Sequence, residues 1–558
     1  MKKNRKKVFP AVAMLLAVAG CSSTKVNDAI YCVQLDPLEK VFKEQLYFVE
    51  NGDTADVAKG ETASFQWVFR SIYPVKNLKI EAGDLTDGNN RIPVDLKAFT
   101  GYAKGNNCHG CGGSEQLPSV KFYSPESGLF PDPLLNVETM DVASLSNQPL
   151  WVDYTVPREA PAGVYSAEII LTGEMNGKPF RLKKQVAARV YNVTLPEQTL
   201  WTVNWYWLQF LDRMNGGQAV EPYSDRYWEL HKALVNIMRE HGQNVYPVSS
   251  VHLCDYAVSG SQYTFDFSRF DRTVEFLIRE GGMKRMEGDF FNLDLKSNPV
   301  TISIPTGDGV FRRMTLDNDT VNLFLSQYIP ALYNHLRSKG WDKIFMQSIS
   351  DEPTNAQSYN ERADYLKQLE PEIKIIEATI LGQKVENSVH VHTPIIWYCE
   401  KEADFYRKQQ EAGNEVWYYI SCDGQGKYLN RFYERELIQN RLLHWFNYRY
   451  NLTGYLHWGF NWWEELSGDS TLYADNHKFP AGDAFLVYPA FGKVYSSIRL
   501  KAQRDGIADY ELLRLLEKKD PANANELARA VIRSYDRYDT NITSFRETRR
   551  KLLTRLSE

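Results

Sequence analysis

The chain has 558 residues, 43% of them hydrophobic, which supports roughly two to four domains with sizeable cores. Its formal net charge is only −5, and no long basic run follows the first seven residues, so nucleic acid is excluded as the main partner. Aromatic residues make up 13%, including 13 Trp and 33 Tyr, and supply the flat apolar faces that cores and sugar-binding clefts both use.

The first segment is a targeting signal. "MKKNRKKVFPAVAMLLAVAGCSS" has a basic start, a short apolar stretch and small residues just before Cys21. "LAVAGC" resembles a bacterial lipobox, so residues 1–21 are expected to act as a lipoprotein signal, with cleavage before Cys21 and lipid on its thiol. No later stretch is long and apolar enough to span a bilayer. The expected location is the bacterial cell envelope, with the membrane touched only through the N-terminal lipid. No acidic cluster directly follows Cys21, which leans toward the periplasmic face.

Residues 30–198 predict a β-sandwich. "ASFQWVFRSI", "LKIEAG", "WVDYTVP", "GVYSAEIILTG" and "FRLKKQVAARVYNV" are short runs rich in Val, Ile, Tyr and Phe, separated by Gly, Pro and Asn turns. From 199 to 490 the rhythm becomes strand, helix, strand, helix. Predicted strands are "WTVNWYWLQF", "NVYPVSSVHL", "KRMEGDFF", "KIFMQSIS", "IKIIEAT", "VHVHTPII", "VWYYISC" and "GYLHWGF". Helical patterns fall at 225–241, 268–281, 318–339, 355–369, 399–412 and 430–450, with room for only a short helix between the fifth and sixth strands. Eight such units predict a (β/α)₈ barrel. No glycine-rich nucleotide turn follows the first strand, which disfavours an open dinucleotide-binding sheet. Residues 491–558 predict a helical extension; Ile507, Tyr510, Leu513 and Leu516 define one apolar face.

After Cys21 six cysteines remain, too sparse for a disulfide framework. Cys108 and Cys111 in "NNCHGCGG" have knuckle spacing but no second pair, so a local disulfide or free thiols are expected rather than a metal site. No cofactor is implied.

In a barrel the strand C-termini form the catalytic face. They offer Asn204, Tyr206 and Trp207; Ser250 and His252; Asp289; Asp351 and Glu352; Thr393 and Trp397, with Tyr398 beside it; Ser421 and Asp423; and His457, Trp458, Asn461 and Trp462. That set of carboxylates, aromatics and neutral polar groups suits acid catalysis on a polar, ring-shaped substrate. "QSISDEPTNA" places Asp351 and Glu352 side by side at the end of the fourth strand. Pro353 is expected to hold Glu352 extended, and Thr354 or Asn355 to cap the next helix. A glycosidase with two catalytic carboxylates usually places them on different strands. Neighbouring carboxylates fit substrate-assisted hydrolysis instead. Asp351 orients a 2-acetamido group whose oxygen attacks the anomeric carbon, and Glu352 protonates the leaving oxygen. Trp458 and Trp462 are expected to form a platform under the sugar. Asn204, Tyr206, Trp397, Tyr398 and Asn461 are further substrate-binding candidates.

"SISDEP" followed by a helix, "GYLHWGFNWW", and "YPAFGKVYSSIRLKAQRDGIADYELL" together resemble glycoside hydrolase family 123 and its relatives. The resemblance spans most of the mature chain and implies a retaining, exo-acting β-N-acetylgalactosaminidase using the substrate-assisted route. It puts the acid/base glutamate at Glu352 and the acetamido-orienting aspartate at Asp351. One departure bears on the sugar accepted: members often carry histidine three residues before the aspartate, where this chain has Ser348. Two alternatives stay open. One is a barrel glycosidase for an N-acetylglucosaminide or a neutral sugar, with Asp289 or Glu464 as the distant second carboxylate. The other is a non-catalytic glycan-binding lipoprotein.

Overall fold

The computed structural model describes residues 29–558 except 53, 106–121, 289–300, 307–309, 424–425 and 470. Cys21, Cys108, Cys111 and Asp289 therefore lie outside the described residues. Among those described, Cys32, Cys254, Cys399 and Cys422 are free thiols, and no helix is long and apolar enough to cross a membrane.

The N-terminal region is rich in sheet. One sheet runs in the order 30–35, 62–71, 147–155, 96–105, and a second in the order 55–59, 178–194, 163–175, 75–82, 140–142. Strand Gly163–Met175 shows why this sequence pairs in one register. Tyr165, Ala167, Ile169 and Leu171 are buried, while the residues between them face outward, so a one-residue slip would expose the whole set. Asn176 and Gly177, at φ 52° and 70°, make the tight turn to strand Lys178–Thr194. Both sheets contribute to one core that includes Phe65, Trp67, Ile80, Leu150, Tyr165 and Leu171.

Beyond residue 200 lie eight parallel strands: β1 Trp201–Asn204, β2 Val245–Val248, β3 Arg285–Gly288, β4 Phe345–Gln347, β5 Ile376–Ala378, β6 Val391–Thr393, β7 Glu415–Tyr419 and β8 Gly454–His457. They form a five-stranded sheet, β1-β8-β7-β6-β5, and a three-stranded sheet, β2-β3-β4. The sheets meet at two seams. Gln347 bridges to Ile375, with Gln347 N donating to Lys374 O at 2.8 Å. At the other seam, side-chain amides replace part of the ladder. Asn244 Oδ1 accepts from Thr202 N at 2.9 Å, and Gln243 Oε1 accepts from Asn204 N at 3.0 Å.

The helices between the strands are α1 Asp225–Glu240, α2 Ser268–Arg279, α3 Asp319–Lys339, α4 Ala356–Leu369, α5 Ile396–Lys401, α6 Ala403–Glu411 and α7 Ile438–Arg449. Only a 3₁₀ turn, Gly382–Val385, separates β5 from β6. The first predicted strand ends early, at Asn204, and its "LQF" enters a 3₁₀ turn, Leu208–Asn215. Hairpins at 255–266 and 301–315 were not anticipated. Nor was the hairpin Leu466–Asp475, whose second strand pairs in parallel with Leu96–Gly105 and so joins the N-terminal sheet.

The tail holds α8 Ile498–Lys519, α9 Pro521–Val531 and α10 Ile542–Ser557. Ser497 caps α8, accepting from Leu500 N at 3.1 Å. Arg499, in its first turn, is fully buried and grips Asp132 of strand Leu129–Leu135 through Nε and Nη2, at 2.9 and 2.8 Å. Its remaining N–H groups reach Arg431 O at 3.0 Å, Gly482 O at 2.5 Å and Phe485 O at 2.9 Å. One guanidinium thus links the N-terminal sheet, the loop after β8 and the tail. Asp132→Ala would leave that cation buried without its counter-charge, and is expected to lower stability by about 3–5 kcal/mol. A thermal or denaturant midpoint essentially unchanged from wild type would remove the pair from this account.

Candidate active site

The chain leaves β4 through three buried residues, Ser348, Ile349 and Ser350, and one carboxylate receives all three. Glu377 of β5 is wholly buried. Its Oε2 accepts from Ile349 N and Ser350 N, each at 3.1 Å, and its Oε1 accepts from the Ser348 hydroxyl at 3.2 Å. Ser348 is therefore engaged beneath the site by Glu377. Directly after Ser350, Asp351 is exposed and Glu352 half-buried.

Glu352 is not extended, as the proline rule led us to expect. Its φ is +47°, in the left-handed region. Pro353 disfavours the right-handed helical conformation for the residue before it but leaves more than one escape. A non-glycine residue held there costs on the order of 1–3 kcal/mol, and such strain persists only where the surroundings over-determine it. Three contacts do so. Glu377 clamps the approach, and Asn355 caps α4 by accepting from Ser358 N at 3.1 Å. From the end of β7, the Tyr419 hydroxyl donates to Glu352 Oε1 at 2.5 Å.

Burial dominates the titration of the groups around the pair, and Asp351 adds a smaller contribution. Burial pushes Tyr419 well above the ordinary phenol value, with Glu352 and then Asp351 adding to the shift, so the phenol stays protonated and donates. Burial also raises Glu287, at the end of β3, to about 7; the Trp205 indole N–H at 3.0 Å opposes the shift and Asp351 adds to it. Glu377 is likewise raised by burial and by Asp351, against the pull of its two backbone N–H donors. Burial thus raises both Glu287 and Glu377, and the exposed Asp351 adds to each shift.

An aromatic wall stands at the end of β8. Trp462 packs edge-on against Trp207, Phe210 and Trp458, with centroids 4.7, 5.3 and 6.0 Å apart, and Trp458 meets the partly exposed Phe479 at 5.0 Å. Trp207, Trp458 and Trp462 are only half-buried. Asp483 accepts from the Trp458 indole at 3.0 Å and from His457 Nε2 at 3.2 Å. His457 Nδ1 accepts from Gly459 N at 3.0 Å, so the ring is neutral; burial and then Arg431 lower it to about 3. Gly459 has to be glycine, because a Cβ would stand 2.5 Å from Ala484 O.

The other sequence-derived candidates have varied surroundings. The half-buried Trp397 donates to Asp423 at 3.3 Å, and Asp423 acts on Tyr419, which places both on the Glu352 side. Asn461 is fully buried and holds Trp207, accepting from its N at 2.8 Å and donating to its O at 3.0 Å. Asn204 is buried and accepts from Arg431 at 3.2 Å. The Tyr206 hydroxyl meets His231 of α1 at 3.1 Å. The Tyr398 hydroxyl donates to Glu402 at 3.1 Å, one turn along. These four are occupied within the protein. Glu464 is exposed and accepts from the Trp462 indole at 3.2 Å.

Sequence reasoning missed Glu287, Glu377, Trp205, Tyr419, Arg431 and Asp483. The signal for Glu287 was present, because "RMEG" puts a carboxylate inside an apolar strand, two residues before the Asp289 that was chosen. "IIEAT" offered the same signal for Glu377. Among the described residues, no cluster of three or more His, Cys, Asp or Glu has the arrangement of a metal site.

Comparison with known proteins places this fold among carbohydrate-active enzymes. The glycoside hydrolase 123 catalytic domain matches residues 205–516, and the glycoside hydrolase 123 N-terminal domain matches 46–173. The chain belongs to glycoside hydrolase family 123. A similar solved structure is a family 123 glycoside hydrolase from Clostridium perfringens, described for glycolipid glycan hydrolysis. It is 16% identical, has a TM-score of 0.70, and the match covers 95% of this chain and 97% of that one. An endo-β-1,4-mannanase from Thermotoga petrophila matches more distantly: 13% identity, 58% and 78% coverage, TM-score 0.33. No curated protein matches the sequence.

Two predictions follow from the buried carboxyls. Glu377→Gln keeps an oxygen for the two N–H groups and is expected to retain most of kcat. Glu377→Ala frees the approach to Asp351 and should lower kcat by about a hundredfold, with a smaller change in KM. Equal activity in the two variants would dismiss the clamp. For Glu287, raised from 4.5 to about 7, the folded state keeps a proton that the unfolded state loses. Stability due to this group is therefore greatest below pH 4.5 and declines up to about pH 7. Glu287→Gln lacks the loss, so its free energy of unfolding should rise relative to wild type across that window, by at most about 3 kcal/mol. A pH-independent difference would contradict the raised value.

Proposed function

We propose that the protein is a retaining, exo-acting hydrolase that removes terminal β-linked N-acetylgalactosamine from a glycan or glycolipid. Asp351 orients the 2-acetamido group, whose carbonyl oxygen forms a bond to the anomeric carbon as the glycosidic bond breaks. Glu352 gives its proton to the departing oxygen. Glu352 then takes a proton from water, which opens the oxazolinium ring and returns the sugar with its configuration retained. Trp458 and Trp462, with Trp207 behind them, flank the pyranose ring.

The observation that carries this reading is the different placement of the two side chains of one dipeptide. Asp351 is exposed, while Glu352 turns at φ +47° onto the Tyr419 hydroxyl. Family membership supports glycoside hydrolysis, and the Clostridium perfringens enzyme's action on glycolipid glycans favours the substrate class. We also read the two parallel sheets as one closed (β/α)₈ barrel, because hydrogen bonds cross both seams. The lipobox-like sequence supports an envelope lipoprotein anchored at Cys21.

Aryl β-N-acetylgalactosaminide, β-N-acetylglucosaminide and β-galactoside assayed in parallel test the activity. Turnover of an N-acetylhexosaminide but not the galactoside is expected, with tight inhibition by an N-acetyl thiazoline analogue. Turnover of the galactoside alone would shift the assignment to a glycosidase for neutral sugars. Glu352→Gln should lose activity about a hundredfold or more on poor leaving groups, and much less on activated aryl glycosides, which need little protonation. Wild-type rates on both would end the assignment of Glu352 as the acid.

A further inference from the structure

Twelve large apolar side chains are left exposed among the described residues, and five of them, Leu46, Phe48, Val49, Tyr73 and Leu145, lie around the edge strand Ile30–Leu35 of the N-terminal sheet. The backbone brings them together. Strand Ile30–Leu35 begins opposite Ser71, and Ile72 N donates to Ala29 O at 3.1 Å. Ser71 O accepts from Leu145 N at 2.7 Å, and Ser71 Oγ from Tyr73 N at 3.2 Å. The segment bearing the other three lies along the same strand. The Tyr31 hydroxyl donates to Tyr47 O, and the Asn147 amide donates to Phe42 O and Gln45 O at 2.7 and 2.6 Å.

These side chains are strongly exposed: Val49 is 74% exposed, Phe48 59% and Leu145 56%. Leu145 also holds φ at +57°, a region a leucine rarely adopts. The rim is close to neutral. Lys43 neighbours Glu44, and Glu50 pairs with Lys184 at 3.7 Å. The patch also lies where the chain enters the fold. Ala29 is eight residues beyond Cys21, a reach of at most about 30 Å when fully extended.

We propose that this patch is a membrane-docking face, lying against the bilayer that holds the N-terminal lipid. The proposal rests on the lipid-anchor reading for its geometry. An anchor alone lets the enzyme tumble at the end of its tether; a second apolar contact at the tether's root fixes which face meets the membrane. With a neutral rim, the attraction comes from apolar burial, so it should not need anionic lipid and should persist in salt.

The chain from residue 22, which keeps every described residue, is mixed with phosphatidylcholine vesicles and floated. Wild type is expected to float, and about 0.5 M salt should not release it. Leu46→Ser/Phe48→Ser/Val49→Ser is expected to cut the bound fraction about tenfold, with unchanged circular dichroism and thermal midpoint. Docking is overturned if wild type stays at the bottom, if the triple variant floats equally, or if binding requires anionic lipid and is released by salt. A wild-type dimer that the triple variant dissolves would also overturn it, by giving the patch to a second copy. Fatty-acid labelling of the full chain, with Cys21→Ala as control, reads the anchor separately. Absence of label overturns the anchor and the proposed geometry; a labelled protein whose residue-22 form does not float overturns docking alone.

Discussion

A buried ion pair, Arg499 with Asp132, ties the tail to the N-terminal sheet and to the loop after β8. Both side chains are withdrawn from water, and a buried pair of this kind is stabilising only when every remaining donor and acceptor is satisfied. Here the remaining guanidinium N–H groups meet backbone carbonyls of residues 431, 482 and 485, and the Tyr488 hydroxyl donates to Asp132 at 2.6 Å. The loop fixed in this way returns hydrogen bonds to the end of β8: Leu486 N donates to Phe460 O at 2.9 Å and Trp462 N to Ala484 O at 3.1 Å. The aromatic wall thus takes its position from a contact made far along the chain, between a strand of the N-terminal sheet and the first turn of a tail helix.

On the opposite side of the site, position is set by electrostatics in a dry environment. The approach to Asp351 is held by Glu377, which is buried and receives backbone N–H groups, while Glu352 is held by a phenol that its own surroundings keep protonated. The strained backbone at Glu352 is the visible sign of this support. Two adjacent carboxylates at a strand end would repel if they shared one orientation. Here one is exposed to solvent and the other is drawn toward β7, so the two carboxyl groups meet different surroundings.

Much of the architecture was legible because it rests on local pattern. Strand positions in "VHVHTPII", "VWYYISC" and "GYLHWGF" coincide with β6, β7 and β8, since apolar runs between helical patterns report burial directly. The Asp351–Glu352 pair was legible because charge at the end of an apolar run is unusual. What the local pattern does not decide depends on long-range contact. Asn204, Tyr206, Asn461 and Tyr398 lie at or near strand ends, but whether such a side chain faces a cleft or a neighbouring helix is decided by partners such as Arg431 and His231. Glu287 and Glu377 were overlooked because a carboxylate inside a strand reads as a break in the pattern until its donors are seen. The conformation of Glu352 was misjudged because a rule that forbids one backbone region does not choose among those left.

The hairpin strands Leu466–Gly468 and Leu472–Asp475 extend a sheet whose other members come from the first third of the chain. The partner of Leu472–Asp475, Leu96–Gly105, emerges about 370 residues earlier, whether from a ribosome or through an export channel. At roughly 5–20 residues per second, that edge stays open for tens of seconds, with its N–H and C=O groups unpaired. The two family modules are therefore not independent beads on a string. The first cannot finish folding until the second has nearly all arrived, and a transplanted N-terminal module would carry an open edge as a template for aggregation.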